Sequence, residues 1–326
     1  MTSSPQTLPI VRLKPKAEAR AIRHGFPWVF SDEIVADRRS KALKPGTVAR
    51  LEDSGRRALG VVAVNMGSKI CCRMLDRNPN AQIDQDWFAT RIKAALAHRE
   101  RLYDAPFYRL IHAEADGLPG VVIDRFGDAA VIQPNAAWAE THLQALLAAL
   151  MQVTGVQTVV KNAASRVRAL EGLNEDTGLL SGALDGPIAV PMNGAIYMAD
   201  LLGGQKTGLF FDQRPNHAFL QRLSRGARVL DVFSHVGGFS LAALAGGASS
   251  AVAIDSSAPA LALARQGAQE MGLAERFETR KGDAFAVLEA LAEEGKEFDV
   301  VVCDPPAFAP NKTALKAGPC GGFEQL

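Results

Sequence analysis

The residues best placed to do chemistry lie in the run Val229-Leu230-Asp231-Val232-Phe233-Ser234-His235-Val236-Gly237-Gly238-Phe239-Ser240. An apolar strand ends in a carboxylate and turns through paired glycines into a helix. Ligands of doubly wound sheets sit at such carboxyl ends of strands. Gly237 carries no Cβ to hold a ligand away from the backbone. Asp255 ends the next apolar run, about 20 residues on, where a carboxylate can accept both hydroxyls of a ribose. Asp283, in Gly282-Asp283-Ala284-Phe285, follows a third strand, where it could accept from an adenine amine. The dinucleotide fingerprint GxGxxG is absent, so an adenosine without pyrophosphate is favoured over a dinucleotide. Asp231 suits the amino group of a methionine-like tail. Asp231 and Asp283 also have a plain reading as helix caps and turn residues. Three acids closing three successive strands, beside the glycine turn, favour the cofactor site.

Two further stretches belong with this one. Asp304-Pro305-Pro306-Ala307-Phe308 closes a fourth apolar strand, and its prolines give a rigid, extended exit that places Asp304 and Phe308 at the site's edge. Lys206-Thr207-Gly208-Leu209-Phe210-Phe211-Asp212-Gln213-Arg214-Pro215-Asn216 precedes the first strand and interleaves polar with aromatic residues. Such a loop could cover a cofactor or position a base. No CxxC pair occurs, and no metal site is expected.

The elements that must hold these residues follow from periodicity. Strands over 229–233, 251–254, 276–281 and 298–303 alternate with helices over 258–271 and 284–294, which implies a doubly wound parallel sheet. Upstream, strands over 47–51, 58–65 and 69–75, separated by Lys44-Pro45-Gly46-Thr47 and Asp53-Ser54-Gly55, suggest a small barrel. Asp84 is placed to cap a helix running to about Leu102, with Trp87, Ile92, Leu96 and Leu102 on one stripe. A mixed region follows, with strands at 121–123, 129–133 and 158–160 and a helix over 138–151. His112-Ala113-Glu114-Ala115-Asp116-Gly117-Leu118-Pro119-Gly120 is strong turn chemistry, so Glu114 and Asp116 are expected to be structural.

The 326 residues suggest two or three domains. A net charge of +1 conceals an asymmetry: residues 1–77 carry 15 basic and 7 acidic side chains, the remainder 21 and 28. A basic module on an acidic body suits a polyanionic partner, although a solvated basic face would look the same. The N-terminus lacks the apolar core of a targeting signal, and no run reaches the roughly 18 apolar residues of a membrane span. Cys71 and Cys72 are adjacent, so they make poor disulfide partners. A reduced, cytoplasmic protein is the simplest expectation.

These motifs resemble those of the class I methyltransferases that make 5-methylcytosine in bacterial large-subunit ribosomal RNA. The resemblance runs from about Leu13 to Lys316. Gly25-Phe26-Pro27-Trp28-Val29-Phe30 looks like the start of that family's N-terminal PUA domain, and residues 112–120 like the signature of its central domain. The stretches 206–216, 231–238 and 304–308 look like its catalytic motifs. The resemblance implies a multidomain α/β chain. It would comprise a small PUA-like β-barrel over 10–80, a central α+β domain over 81–190 and a Rossmann-like doubly wound methyltransferase domain over 195–326. It implies S-adenosyl-L-methionine as cofactor, held by Asp231, Gly237, Asp255, Asp283 and Asp304, with Thr207, Gln213 and Arg214 closing over it. Pro305, Pro306 and Phe308 would face the substrate. Ribosomal RNA is the implied partner, without a membrane, and a homodimer is left open.

One departure qualifies this. Methylating carbon 5 of cytosine needs a cysteine thiolate to add at carbon 6, and the family carries that cysteine well beyond its Asp-Pro-Pro motif. The residues after Ala317 do not resemble the family, and the placeable strands are fewer than its full sheet. The expectation is therefore a truncated or frame-shifted catalytic domain whose catalytic residue is unknown. Cys303 is expected to be a packed, inert thiol, and Cys320 lies in a Gly-rich tail; neither is expected to be the nucleophile. An RNA methyltransferase acting on the N6 of adenine or N2 of guanine, which needs no cysteine, is the nearest alternative. A non-catalytic RNA-binding protein is the next.

Overall fold

The computed structural model describes residues 8–203 and 208–306. The chain divides into two compact units: Met1–Gly186 with Asp200–Gly208, and Pro187–Ala199 with Leu209–Leu326. Thr207 and Phe308, two of the expected site residues, and Cys320 lie outside the described residues.

The first unit opens with a five-stranded sheet, in the order β1 (Ile10–Arg12), β3 (Thr47–Glu52), β4 (Ala58–Val64), β5 (Ile70–Asp76) and β2 (Trp28–Phe30). The two short N-terminal strands were not apparent from periodicity, because three residues hold too little pattern. An antiparallel bridge between Leu13 and Ile34 joins the chain beyond β1 to the chain beyond β2, which closes the sheet as a barrel. Helices α1 (Ala19–Arg23) and α2 (Arg38–Lys41) flank it, α2 capped by the Asp37 side chain at Ser40 N. Val11, Leu13, Val29, Ile34, Leu51, Val62 and Cys72 fill the interior. Cys71 and Cys72 are both buried free thiols.

Asp84 caps α3 (Gln85–Glu100), accepting from Trp87 N at 2.9 Å. Leu102 falls beyond the helix end and is exposed, so it does not extend the apolar stripe. A second five-stranded sheet has the order β10 (Gly178–Ser181), β9 (Thr158–Lys161), β8 (Ala129–Pro134), β7 (Val121–Phe126) and β6 (Phe107–His112). The helix expected over 138–151 is two, α4 (Ala137–Thr141) and α5 (Leu143–Thr154), because His142 leaves helical geometry at φ −105° and ψ 15°. A short α6 (Val167–Leu170) follows. Trp138 stacks on Phe88 at 5.7 Å and donates its indole N–H to Pro119 O, which anchors both helices over the sheet. Ala63 and Leu75, from the outside of the barrel, join this second core.

The second unit begins with the hairpin of β11 (Ile188–Met192) and β12 (Ala195–Ala199). Its turn, Asn193-Gly194, has φ of 54° and 75°, the left-handed pair that a two-residue hairpin requires. A parallel sheet follows in the order β15 (Phe277–Lys281), β14 (Ser250–Asp255), β13 (Arg228–Val232) and β16 (Val300–Cys303). Helices α7 (Arg214–Leu223), α8 (Gly238–Ala245), α9 (Ala258–Glu270) and α10 (Ala284–Glu293) alternate with these strands. Strands buried on both faces read as continuous apolar runs, which is why β13 and β14 were legible in the sequence. Among the described residues β16 is an edge strand, with Val301 57% exposed. Cys303 is exposed there, not packed as expected. No helix among the described residues is long and apolar enough to cross a membrane.

Candidate functional site

The carboxyl ends of β13, β14, β15 and β16 gather most of the expected site residues. Register sets them side by side: Val232 pairs with Ile254 on one flank and with Cys303 on the other, so Asp255 and Asp304 each follow one step beyond. The loop from Phe233 to Gly237 leaves β13 through alternating left-handed residues, Phe233 at φ 65°, His235 at 52° and Gly237 at 76°. Non-glycine residues held there are strained, and such strain collects at functional sites.

Asp231 is buried and holds this loop against α8. Its Oδ2 accepts the backbone N–H and the hydroxyl of Ser240, each at 2.9 Å. Among the described residues its Oδ1 has no hydrogen-bond partner. Burial pushes its carboxyl up to about 6, against the lowering effect of the Ser240 bonds. Asp255 accepts His235 N at Oδ2 and Ser257 N at Oδ1, both at 2.8 Å, so it braces the start of the loop. Asp283 caps α10 through Phe285 N and Ala286 N and is exposed. All three acids therefore take backbone donors, and Asp231 alone keeps a buried oxygen without one.

The paired glycines answer to protein neighbours. A Cβ at Gly237 would lie 2.9 Å from the Ala264 Cβ, and one at Gly238 would lie 2.7 Å from His217 Nε2. His217, on α7, is buried between the Tyr197 ring, stacked at 5.7 Å, and the Phe239 ring, edge-on at 4.7 Å. Desolvation lowers its pKa to about 4, so it is a neutral imidazole at ordinary pH. Among the described residues its Nδ1 and the Tyr197 hydroxyl are also without partners.

The segment before β13 reaches the site through a short 3-10 turn, Phe211–Gln213, and then α7 with Pro215 in its first turn. Gln213 Nε2 donates to Asp304 Oδ2 at 3.1 Å, and Asn216 Nδ2 donates to Gln213 Oε1 at 2.7 Å. Arg214 turns the other way: its Nε donates to Asn193 Oδ1 at 3.3 Å, while Asn193 Nδ2 donates to Arg214 O at 2.9 Å. Phe210 stands edge-on to His235 at 5.2 Å. Pro305 and Pro306 continue from Asp304 at the surface. Asn193, Tyr197 and His217 were missed by sequence reading. Asn193-Gly194 between two alternating runs was a usable hairpin signal; the two aromatic rings had none.

The chemistry of this donor set fits a nucleoside bearing an amino-acid tail. An ammonium group could donate to the open oxygen of Asp231, and the strand-end carboxylates offer acceptors for hydroxyls and amines. Among the described residues no group of His, Cys, Asp and Glu could hold a metal ion.

Comparison with known proteins is consistent with that geometry. Residues 116–317 match the family model of S-adenosylmethionine-dependent methyltransferases, and residues 11–77 match a PUA-like domain. A solved structure named as a candidate SAM-dependent methyltransferase of Streptococcus mutans shares the fold, with a TM-score of 0.76 and 20% identity over 94% of this chain and 81% of that one. A second, solved with S-adenosylhomocysteine, has a TM-score of 0.76 and 21% identity over 94% and 78%. The protein is thus an S-adenosylmethionine-dependent methyltransferase with a PUA-like barrel. Sequence relatives narrow this further. The chain is 36% identical to ribosomal RNA large subunit methyltransferase I of Tolumonas auensis, 38% to that of Photobacterium profundum and 35% to that of Escherichia coli, in each case over 95% of this chain and 79% of the relative. It belongs to the ribosomal RNA large subunit methyltransferase I family.

Proposed function

We propose that the chain transfers the methyl group of S-adenosylmethionine to carbon 5 of a cytosine in large-subunit ribosomal RNA. The observation that carries the cofactor's placement is the buried, donor-less Oδ1 of Asp231 beside the strained turn 233–237. The cofactor supplies an electrophilic methyl group. Asp231 would hold its amino-acid tail, Asp255 and Asp283 its nucleoside, and Gly237 the turn against which it lies. Gln213 and Asp304, tied together, would form the wall toward the base, with Thr207 and Arg214 in the segment alongside. Pro305, Pro306 and Phe308 would face the RNA. The relatives' names support the RNA substrate, and the excess of basic side chains over residues 1–77 suits it.

One observation favours methylation of an exocyclic amine as a second reading. Carbon 5 chemistry needs a thiolate. Among the described residues Cys71 and Cys72 are buried in the barrel, and the Cys303 thiol is pushed up by partial burial and by Asp304. An amine acceptor needs only an acceptor such as the exposed Asp304 carboxylate. Incubating the chain with isotope-labelled S-adenosylmethionine and undermethylated ribosomal RNA, then identifying the labelled nucleoside, decides the matter. Label in 5-methylcytidine supports the first reading, and label in a methylated adenosine or guanosine supports the second. No label in any nucleoside removes both and leaves an RNA-binding role.

A further inference from the structure

The motif Gly25-Phe26-Pro27-Trp28-Val29-Phe30 plays no part in the site above, yet it builds a distinct surface. β2 stands last in the barrel's strand order and pairs with β5 on one side. Its residues alternate: Val29 enters the barrel core, and Trp28 and Phe30 point the other way. Phe26, two residues earlier, joins them. Its ring lies edge-on to Trp28 at 6.0 Å and tilted against Phe30 at 6.4 Å, and the residue is 42% exposed. Three aromatic rings therefore form a row on the outward face of β2.

The row is held rigid and flanked by positive charge. Trp28 Nε1 donates to Glu114 Oε1 at 2.8 Å, and Arg73, opposite Trp28 in the ladder, donates to the same oxygen at 3.2 Å. Glu114 is thereby neutralised within the unit. The nearby acid Glu33 is turned inward, taking Phe30 N–H at 2.8 Å. Arg77 lies against Gly25, its Nη2 only 2.6 Å from where a Cβ would sit, and among the described residues it makes no ion pair. An exposed ring on a pinned row, a free guanidinium beside it and a surplus of basic residues make an apolar face that favours a polyanion over an apolar partner.

We propose that the Phe26–Trp28–Phe30 row, with Arg77, is a stacking platform for unpaired bases of single-stranded RNA. Every base presents a π-face, so such a platform tolerates sequence, while Arg77 meets the phosphate backbone. Duplex RNA has its bases already stacked and would gain nothing from Phe26. This inference rests on the reading that the chain acts on RNA and adds where and in what form the barrel grips it.

The test uses the full chain and fluorescence anisotropy with a short labelled single-stranded RNA of mixed sequence, and with the same sequence as a duplex. Phe26→Ala should weaken single-strand binding roughly five-fold or more, since a stacked base contributes at least that much. Duplex binding and S-adenosylhomocysteine binding should stay unchanged, and Phe26→Trp should restore the single-strand affinity. Arg77→Ala should weaken binding and lower the salt dependence by about one phosphate contact. Unaltered single-strand affinity in Phe26→Ala, or equal losses on single strand and duplex, would overturn the platform. A wild-type chain that binds no RNA overturns it too. If wild type methylates RNA while Phe26→Ala binds normally, the platform alone fails. If Phe26→Ala shows the selective loss while wild type transfers no methyl group, the platform stands and the proposed activity fails.

Discussion

The side-chain amide of Gln213 donates to the Asp304 carboxylate at 3.1 Å, which joins the segment entering β13 to the exit of β16 across 91 residues of sequence. Both groups are solvent-accessible, so the bond contributes little to stability and acts on position. Gln213→Ala is expected to leave the melting temperature within about a degree and to lower kcat/KM roughly tenfold, in steady-state methyl transfer. Gln213→Glu should be worse, because two carboxylates would then face each other. An unchanged kcat/KM in both variants would remove this pair from the site.

Asp231 trades stability for binding. Its carboxyl is raised to about 6 from 3.8 by burial, so the folded state resists its ionisation. The contribution to stability is fully present below pH 3.8 and is lost as pH rises through about 6. Asp231→Asn keeps an acceptor for Ser240 and removes the buried charge. At pH 7 it should stabilise the cofactor-free protein by up to about 3 kcal/mol in chemical denaturation. It should also weaken S-adenosylhomocysteine binding at least tenfold in calorimetry, and abolish a wild-type rise in affinity between about pH 5 and 7. A destabilised Asp231→Asn would contradict the buried-charge argument.

His217 works in the opposite direction over nearly the same range. Its pKa is lowered from 6.5 to about 4, so stability is present above pH 6.5 and is lost as pH falls toward 4. The two groups partly cancel in the wild type. In the Asp231→Asn background, thermal melts between pH 4.5 and 6.5 should therefore show a steeper acid loss than wild type. Adding His217→Leu should flatten the curve. A flat curve in Asp231→Asn alone would mean that His217 does not titrate across folding.

The close approach of α7 to α8 depends on the missing side chain at Gly238, whose Cβ would sit 2.7 Å from His217 Nε2. Gly238→Ala should cost about 1–3 kcal/mol through overpacking. His217→Ala opens the same space, so the double variant should be less destabilised than the sum of the singles by at least about 0.5 kcal/mol. Strict additivity in a double-mutant cycle would place the strain elsewhere.

In the first unit Arg73 bridges Glu114 at 3.2 Å and Glu171 at 3.1 Å, with the Glu171 side chain only 4% exposed. Glu171 also accepts from Asn65 at 2.9 Å. Arg73→Met would leave that carboxylate buried without its cation, at a cost of about 3–5 kcal/mol measured by urea unfolding. Arg73→Met with Glu171→Gln should recover a good part of the loss, which a purely steric role for Arg73 would not allow.

Much of this architecture was legible before any coordinates. Asp84 caps its helix at the position where it was expected to. The two central parallel strands, β13 and β14, announced themselves as apolar runs, since both of their faces are covered. The turn 112–120 was structural, with Asp116 paired to Arg99 and taking His112 N. What stayed hidden was what each acid already holds. Sequence shows that Asp255 ends a strand but not that both of its oxygens take backbone N–H groups from flanking loops. Nor could it show that the space at Gly237 and Gly238 belongs to Ala264 and His217, because those contacts join helices far apart in the chain. Cys303 read as a packed thiol from its apolar neighbours, whereas among the described residues it is exposed on a strand that ends the sheet order.

The hairpin β11–β12 belongs to the second unit, yet the chain then returns to the first for Asp200–Gly208 before entering the rest of the second. During synthesis the hairpin leaves the ribosome ahead of every strand and helix it packs with. Domains fold as units from the N-terminus as the chain emerges, so Pro187–Ala199 must wait, with Val190, Met192 and Tyr197 uncovered, until α8 and α9 arrive. The nascent chain therefore passes through a window in which an apolar hairpin is exposed, and slowing translation beyond residue 199 would lengthen it. Chaperone demand should track that interval and not the length of the finished protein.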